Sequence, residues 1–318
     1  MTTEILKEAQ LKEAVDFLKK GEIVAIPTET VYGLAADATN DEALRKIFTA
    51  KGRPSDHPLI VHIDSVDKVH QWAEFVSEDA KKLAKQFWPG PLTMIFRKRK
   101  TVSTFITGGL DTVAVRVPNH PVALEIIKKL GNGIAAPSAN SHKKTSPTKS
   151  AHVLSTLDGK IAAVIDGGSC SIGIESTIID MTKKIPVILR PGVITTSMIE
   201  TVLNMKIDQP MSHNEKVSGN MHIHYQPKKP LFILSKKEID QQIQKEQHIA
   251  IIHQSTMPPH QNAEFYPMPT KKADYAKKIY EIMHHIDQTN VDKIWVETPP
   301  SSNEWADIND RLLKASSK

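Results

Sequence analysis

Ile23-Val24-Ala25-Ile26-Pro27-Thr28-Glu29-Thr30-Val31-Tyr32-Gly33 is the stretch on which the fold turns. Four apolar residues in a row read as a buried strand, and Pro27 closes it. The strand then enters a loop dense in hydroxyls. In open α/β sheets ligands sit at the carboxyl ends of strands, so this is a candidate binding loop. A turn in which Thr and Glu satisfy backbone groups accounts for the same residues. Working outward, Leu11, Ala14, Val15 and Leu18 share one face of a helix within Glu8 to Lys20, and Gly21 stops it. Downstream, Asn40 caps a helix carrying Leu44, Ile47 and Phe48, which delivers Lys51-Gly52-Arg53-Pro54 at its exit. Helix alternates with strand, which predicts an α/β protein.

The Lys-Gly-Arg-Pro turn is compact and cationic. Gly lets the backbone approach a ligand closely, and Pro forbids the helix from continuing. Such a turn suits a polyphosphate, although a solvated Lys/Arg pair has the same appearance. The next strand, Leu59 to Ile63, is interrupted by His62, which reads either as a hydrogen-bonded core residue or as a ligand group. His57, on the preceding loop, is expected to be exposed. A helix from Ser77 ends before Trp88-Pro89-Gly90-Pro91, and strands follow at Leu92 to Phe96 and Val113 to Val117. Arg116 lies inside the second of these. Burying an unpaired guanidinium is prohibitive, so Arg116 must meet a carboxylate, a phosphate or water.

Pro121 opens a helix to Leu130, and Ile134-Ala135-Ala136 enters Pro137-Ser138-Ala139-Asn140-Ser141, whose small residues let a flat ligand near the backbone. Lys143 to Lys149 is polar and basic and reads as a mobile loop. A strand at Ala162 to Ile165 leads into the Gly-rich run from Asp166 to Thr177, whose amides can cradle an anion. No G-x-x-x-x-G-K-[ST] and no G-x-G-x-x-G occurs, so neither standard nucleotide loop is present. Strands at Thr177 to Ile179 and Val187 to Leu189 precede Arg190-Pro191-Gly192, and a helix follows at Thr196 to Leu203.

A chain of 318 residues predicts two domains. Its single cysteine, Cys170, excludes an internal disulfide, and no family-type signature or adjacent base makes it a nucleophile. The net charge of +5 permits an anionic partner such as RNA without requiring one. No apolar run is long enough to span a membrane and the start lacks a leader pattern, which predicts a cytoplasmic location. Periodicity vanishes from 205 to 230, predicting a linker between a first domain over 1–204 and a second over 231–318. His222 and His224 in the linker form an H-x-H pair, but no further ligands accompany them at zinc-binding spacing. In the second domain, strands at 231–234, 249–253 and 293–296 alternate with helices at 236–246, 274–287 and 305–315, predicting a small parallel α/β unit.

Taken together, Pro27 to Leu34, Lys51-x-Arg53-Pro54, Trp88-Pro89-Gly90-Pro91-Leu92-Thr93, Val115-Arg116-Val117-Pro118, Ser138-Ala139-Asn140, Gly173-Ile174-Glu175-Ser176-Thr177 and Leu189-Arg190-Pro191-Gly192 resemble the YrdC/Sua5 family, the L-threonylcarbamoyladenylate synthases. Ile308-Asn309-Asp310-Arg311-Leu312 near the end resembles that family's C-terminal extension. The resemblance implies a twisted mixed sheet with a cationic concavity, a linker folded over its mouth, and a smaller parallel, Rossmann-like second domain. It also implies a nucleotidyltransferase that converts L-threonine, bicarbonate and ATP, with Mg²⁺, into threonylcarbamoyl-AMP and pyrophosphate. A downstream transferase machinery then moves the threonylcarbamoyl group to adenosine 37 of tRNAs reading codons that begin with A. Carried across, Thr30, His62, Arg116 and Ser176 would hold threonine. Lys51, Arg53, His57, Thr112, Ala136, Ser138, Asn140, Ser146, Arg190 and Tyr225 would surround the nucleotide, with Lys51 and Arg53 closest to the chemistry and no resident metal. Two stretches depart from the family pattern: Ile223 stands where an Arg is usual, and Ser141-His142-Lys143-Lys144 replaces a Gly-containing turn. A weak RNA-binding module, or a carbamoyl-phosphate-using transferase with a related domain, are the alternatives.

Alanine at Lys51 or Arg53 is expected to remove turnover and leave the fold intact, each lost phosphate contact costing about 2–4 kcal/mol of barrier stabilisation. Steady-state kinetics alongside circular dichroism checks this, and unchanged kinetics in a folded variant refutes it.

Overall fold

Short apolar runs and amphipathic helices assemble into two sheets in a computed structural model that describes residues 2–210, 217–219, 223–257 and 260–317. The first sheet has ten strands: β1 (Glu4–Lys7), β2 (Val24–Ile26), β3 (Gly33–Asp37), β4 (Ile60–His62), β5 (Leu92–Arg97), β6 (Thr112–Arg116), β7 (Ile134–Ala135), β8 (Ala163–Asp166), β9 (Thr177–Asp180) and β10 (Val187–Arg190). Their order is β1-β8-β2-β3-β7-β4-β6-β5-β9-β10. The sheet is mixed: β4 runs parallel to β6 and β5 to β9, whereas β3 is antiparallel to β2 and β7. Its helices are α1 (Leu11–Lys19), α2 (Asp41–Lys51), α3 (Glu78–Phe87), α4 (Thr104–Thr107), α5 (Pro121–Leu130), α6 (Ser150–Leu157) and α7 (Thr196–Leu203).

Both faces of this sheet are covered, which is why its strands read as unbroken apolar runs. Along β2, Val24 and Ile26 join one core with α1 and α5, while Ala25 joins the other with α2 and α3. The ends of α2 follow from its flanking residues. The side chain of Asn40 accepts from the amides of Glu42 and Ala43 at 3.0 and 3.2 Å. Gly52 then takes φ +61°, turning the chain so that Arg53 leaves the helix axis.

The second sheet holds β11 (Leu231–Leu234), β12 (Ile249–His253), β13 (Ala263–Pro267) and β14 (Lys293–Glu297), all parallel, in the order β11-β14-β12-β13. Helices α8 (Lys236–Gln242), α9 (Lys272–Ile286) and α10 (Ala306–Ala315) flank it. The mixed sheet and the smaller parallel one match the expected fold class. Sequence reading missed β13, an edge strand that ends in Pro267 and is mostly unburied, so its apolar signal is diluted. It also missed β1, β3, α4 and α6.

One expectation is reversed. The basic run Lys143 to Lys149 is not a loose loop, since Thr145, Ser146 and Thr148 are buried. Partners remote in sequence hold it: the Thr145 amide donates to the Gln226 carbonyl at 3.0 Å, and Lys149 Nζ lies 2.6 Å from Glu281 on α9. His222 lies outside the described residues.

The two sheets do not merely abut. Val31 and Ile174, from loops of the first sheet, belong to the apolar core of the second, together with Tyr225. Gly173 has φ +89° and packs so closely on α9 that a Cβ there would lie 2.6 Å from the Lys277 Cα. Gly173→Ala meets both strain and backbone overlap and is expected to destabilise the protein by about 1–3 kcal/mol, read as a lowered thermal midpoint.

Candidate active site

Loops that follow β2, α2 and β7, the ends of β4, β6 and β10, and the turn before β9 converge on a cavity. Thr28, Thr30, Arg53, His62, Arg116, Ala136, Ser138, Glu175, Ser176 and Arg190 contribute to its wall. Ser218, Gly219, His224 and Tyr225, from the segment between the sheets, line it as well.

Cations dominate this wall, and most are held by neutral groups. Arg53 is buried and donates from Nη2 to the Pro58 carbonyl at 2.9 Å, while its Nε has no partner. Burial lowers its pKa to about 10; Tyr225 opposes that shift and Arg190 adds to it. Lys51 lies beside it, giving Nζ to the carbonyls of Ser138 and Asn140. Burial, then the charge of Arg53, holds its ammonium well below the usual lysine range. Arg190 donates from Nε to the Ser176 carbonyl at 3.0 Å, from Nη2 to Ser176 Oγ at 3.1 Å and from Nη1 to the Ser218 carbonyl at 2.9 Å. Among the described residues, none of these three cations has a carboxylate at ion-pairing distance.

Arg116 differs. Its Nη2 stands 2.6 Å from Glu29 Oε1, though off the hydrogen-bonding direction, so the contact is an ion pair. Nη1 donates to Thr30 Oγ1 at 3.0 Å and Nε to the Gly90 carbonyl at 3.1 Å. Of the partners open to it from the sequence, the carboxylate is present, and the guanidinium still borders the cavity. His62 is likewise both buried and cavity-lining. Burial, then the charge of Arg116, lowers its pKa to about 3, so it is neutral near pH 7. Ser176 Oγ lies 2.8 Å from Thr93 Oγ1, which fixes its rotamer.

Thr30, His62, Arg116, Ser176, Arg53, Ala136, Ser138, Arg190 and Tyr225 therefore share one cavity. Lys51 sits behind the wall, bonded through it. Thr112 lines an adjoining, mainly apolar pocket with Leu59, Ile95 and Ile178, which shares Ile60 and Ser218 with the first. Asn140 is turned inward, its amide donating to the carbonyls of Ser141 and Lys144 at 2.9 and 2.8 Å. Ser146 Oγ donates to Glu175 Oε1 at 2.5 Å. His57 stands edge-on to His142 at 5.5 Å, and His142 edge-on to His224 at 6.3 Å. Cys170 is buried and its thiol is pushed up to about 12, chiefly by burial, so it is no nucleophile here.

Tyr225 covers the cavity. It is 1% exposed and has φ +64°, a left-handed backbone that non-glycine residues adopt only when surrounding contacts hold it. Its carbonyl accepts from Thr145 Oγ1 at 3.1 Å, and its ring stacks on Tyr280 of α9 with centroids 6.0 Å apart. Sequence reasoning gave no role to Glu29, His142, His224 or Glu175, nor to Tyr280 and Arg311, which reach Glu175 from the second sheet. Glu175 and Arg311 lie 136 positions apart, so no local spacing connects them.

A cavity on a mixed α/β sheet, with buried Lys51, Arg53 and Arg190 that have no carboxylate at ion-pairing distance among the described residues, is the class of site that suits a polyanionic ligand. Comparison with known proteins sharpens that class. Residues 16–192 match the Sua5/YciO/YrdC family, described as telomere recombination, and residues 194–317 match the threonylcarbamoyl-AMP synthase C-terminal domain. The chain belongs to the Sua5/YciO/YrdC family. It is 41% identical over 322 residues to the threonylcarbamoyl-AMP synthase of Bacillus subtilis, covering 97% of this chain and 93% of that one. Its identity to the Pyrococcus abyssi protein of the same name is 38% over 328 residues, 98% of this chain and 96% of that one. The crystal structure of P. abyssi Sua5 complexed with L-threonine superposes with a TM-score of 0.91 at 36% identity, covering 99% and 98% of the two chains.

Neutral buried histidines give the fold an acid sensitivity. His62 takes its proton near pH 6.5 when unfolded but only near 3 when folded, and burial holds His224 well below its ordinary value. Between those limits the unfolded chain binds more protons, so stability is lost as pH falls below about 6.5. Each such histidine contributes a slope of about 1.4 kcal/mol per pH unit. Urea midpoints at pH 7 and pH 5 should show this loss, and His62→Gln should reduce it.

Proposed function

We propose that this chain is an L-threonylcarbamoyladenylate synthase, joining L-threonine, bicarbonate and ATP to give threonylcarbamoyl-AMP, pyrophosphate and water. The observation that carries the reading is that Arg53, Arg190 and, through the wall, Lys51 meet Arg116, His62 and Ser176 around one hollow. Buried guanidinium and ammonium groups without carboxylates favour a guest that brings negative charge. A nucleotide triphosphate does so, and the adjoining apolar pocket with Thr112 suits its base. Names and ligands of the relatives point the same way.

In this reading threonine lies at the Arg116 end. Glu29 neutralises part of Arg116 and holds its guanidinium in place, while Thr30, His62 and Ser176 orient the amino acid. Bicarbonate and the threonine amine form a carbamate, which is short-lived in water, so closure by Tyr225 protects it. A carbamate oxygen attacks the α-phosphorus and the bond to pyrophosphate breaks. Negative charge grows on phosphate oxygens, and Lys51, Arg53 and Arg190, already fixed by carbonyls, stabilise it without reorganising. The serine and threonine hydroxyls orient substrates, and no covalent enzyme intermediate is needed.

Mg²⁺ enters as part of the substrate, carried on the ATP phosphates. Glu175, on the cavity wall, is engaged by Arg311 and Glu29, behind it, by Arg116, and among the described residues no group of three His, Cys, Asp or Glu could hold a metal ion. The catalytic unit is assigned to residues 1–204, the cover to 205–230 and the second unit to 231–318. The product then serves a transferase that modifies tRNA. No described helix is long and apolar enough to cross a membrane.

Incubation with ATP, bicarbonate and Mg²⁺ is expected to release pyrophosphate only when threonine is added, with threonylcarbamoyl-AMP identified by mass. Pyrophosphate release indifferent to threonine, or none at all, would sink the assignment.

A further inference from the structure

Glu175 stands on the cavity wall, where Ser146 Oγ donates to its Oε1, but its other carboxylate oxygen is engaged from the second unit. Oε2 accepts from Arg311 Nε at 2.9 Å and from the Tyr280 hydroxyl at 3.2 Å, both residues of the second unit. Arg311, on α10, is 1% exposed and is among the largest fully buried side chains. It also stands 5.3 Å over the ring of Tyr225. One turn on, Lys314 donates from Nζ to the Gly219 carbonyl at 3.0 Å, and its own carbonyl accepts from the His224 amide at 2.9 Å. The last helix of the second unit thus touches both the cover and the wall.

The neighbour of Glu175 in the chain is Ser176, which receives Arg190 through its carbonyl and its hydroxyl. A buried carboxylate seeks the nearest buried cation, because an uncompensated charge in that setting is costly. Two guanidinium groups act on Glu175: Arg311 more strongly, Arg190 less. Burial alone would raise its pKa, and these two hold it low.

We propose that Arg311 is a positioning residue that occupies Glu175, and so keeps Arg190 available to phosphate instead of pairing with that carboxylate. The second unit then completes the nucleotide site from a distance, by supplying the counter-charge that the first unit must not take from its own cations. This inference rests on the synthase reading for its account of ATP, but its test does not require turnover.

The test is titration calorimetry with ATP as the probe, and with threonine as a second probe, on the full chain. Arg311→Met is expected to weaken ATP binding roughly ten- to hundredfold, the loss of about one charge-assisted contact, while threonine binding changes little. Arg311→Lys should recover part of the loss. Adding Glu175→Gln to Arg311→Met removes the competing carboxylate and should restore ATP affinity to near the wild-type value. A lost packing contact would not be rescued that way. If Arg311→Met fails to fold, the folded double variant is compared directly with the wild type. Wild-type ATP affinity in Arg311→Met, or weak binding that persists in the folded double variant, overturns the proposal. Wild-type protein that binds ATP yet forms no threonylcarbamoyl product refutes the synthase reading alone.

Discussion

Positive charge buried beside backbone carbonyls, with no carboxylate at ion-pairing distance from Lys51, Arg53 or Arg190 among the described residues, is the constraint that shapes this site. Lys51 leans on the carbonyls of Ser138 and Asn140, Arg53 on that of Pro58, and Arg190 on those of Ser176 and Ser218. Carbonyl dipoles offset part of the desolvation cost without cancelling the charge. A carboxylate would cancel it and leave nothing to grip a phosphate. Arg116 is the counter-example within the same cavity, since Glu29 neutralises it in part. The wall therefore carries one cation that is paired with a carboxylate and others that lean on carbonyls.

Of the segment between the sheets, Tyr225 is tied to both units. Tyr225 sits in a left-handed backbone conformation that is tolerated because Thr145, Tyr280 and Arg311 surround it. Val31 and Ile174 join the apolar core of the second sheet, so loops that line the site also form the seam between units. Tyr280 on α9 and Arg311 on α10 reach Glu175 on the cavity wall across that seam.

Local signals in the chain were reliable where one element decides its own outcome. Asn40 and Ser77 cap helices as their positions predict, and Gly52 ends α2. The helices at 121–130 and 196–203 begin and end where the pattern places them. The signal weakened where neighbours decide. Strand β13 has little apolar alternation because it lies at a sheet edge. The run from Lys143 to Lys149 reads as a basic loop, yet its threonines and Ser146 are buried under partners more than a hundred positions away in the case of Glu281.

The sequence by itself determined the residue types that converge on the site, the alternation of helix and strand, and the cationic turn at Lys51 and Arg53, because capping, periodicity and Gly or Pro geometry act within a few residues. It also carried enough motif to point to a family. Tertiary structure alone decided which side chains face the cavity, that Arg116 pairs with Glu29, and that Arg311 from the second unit claims Glu175. Coulomb attraction and burial depend on distance in space, and folding brings residues 136 positions apart to 2.9 Å.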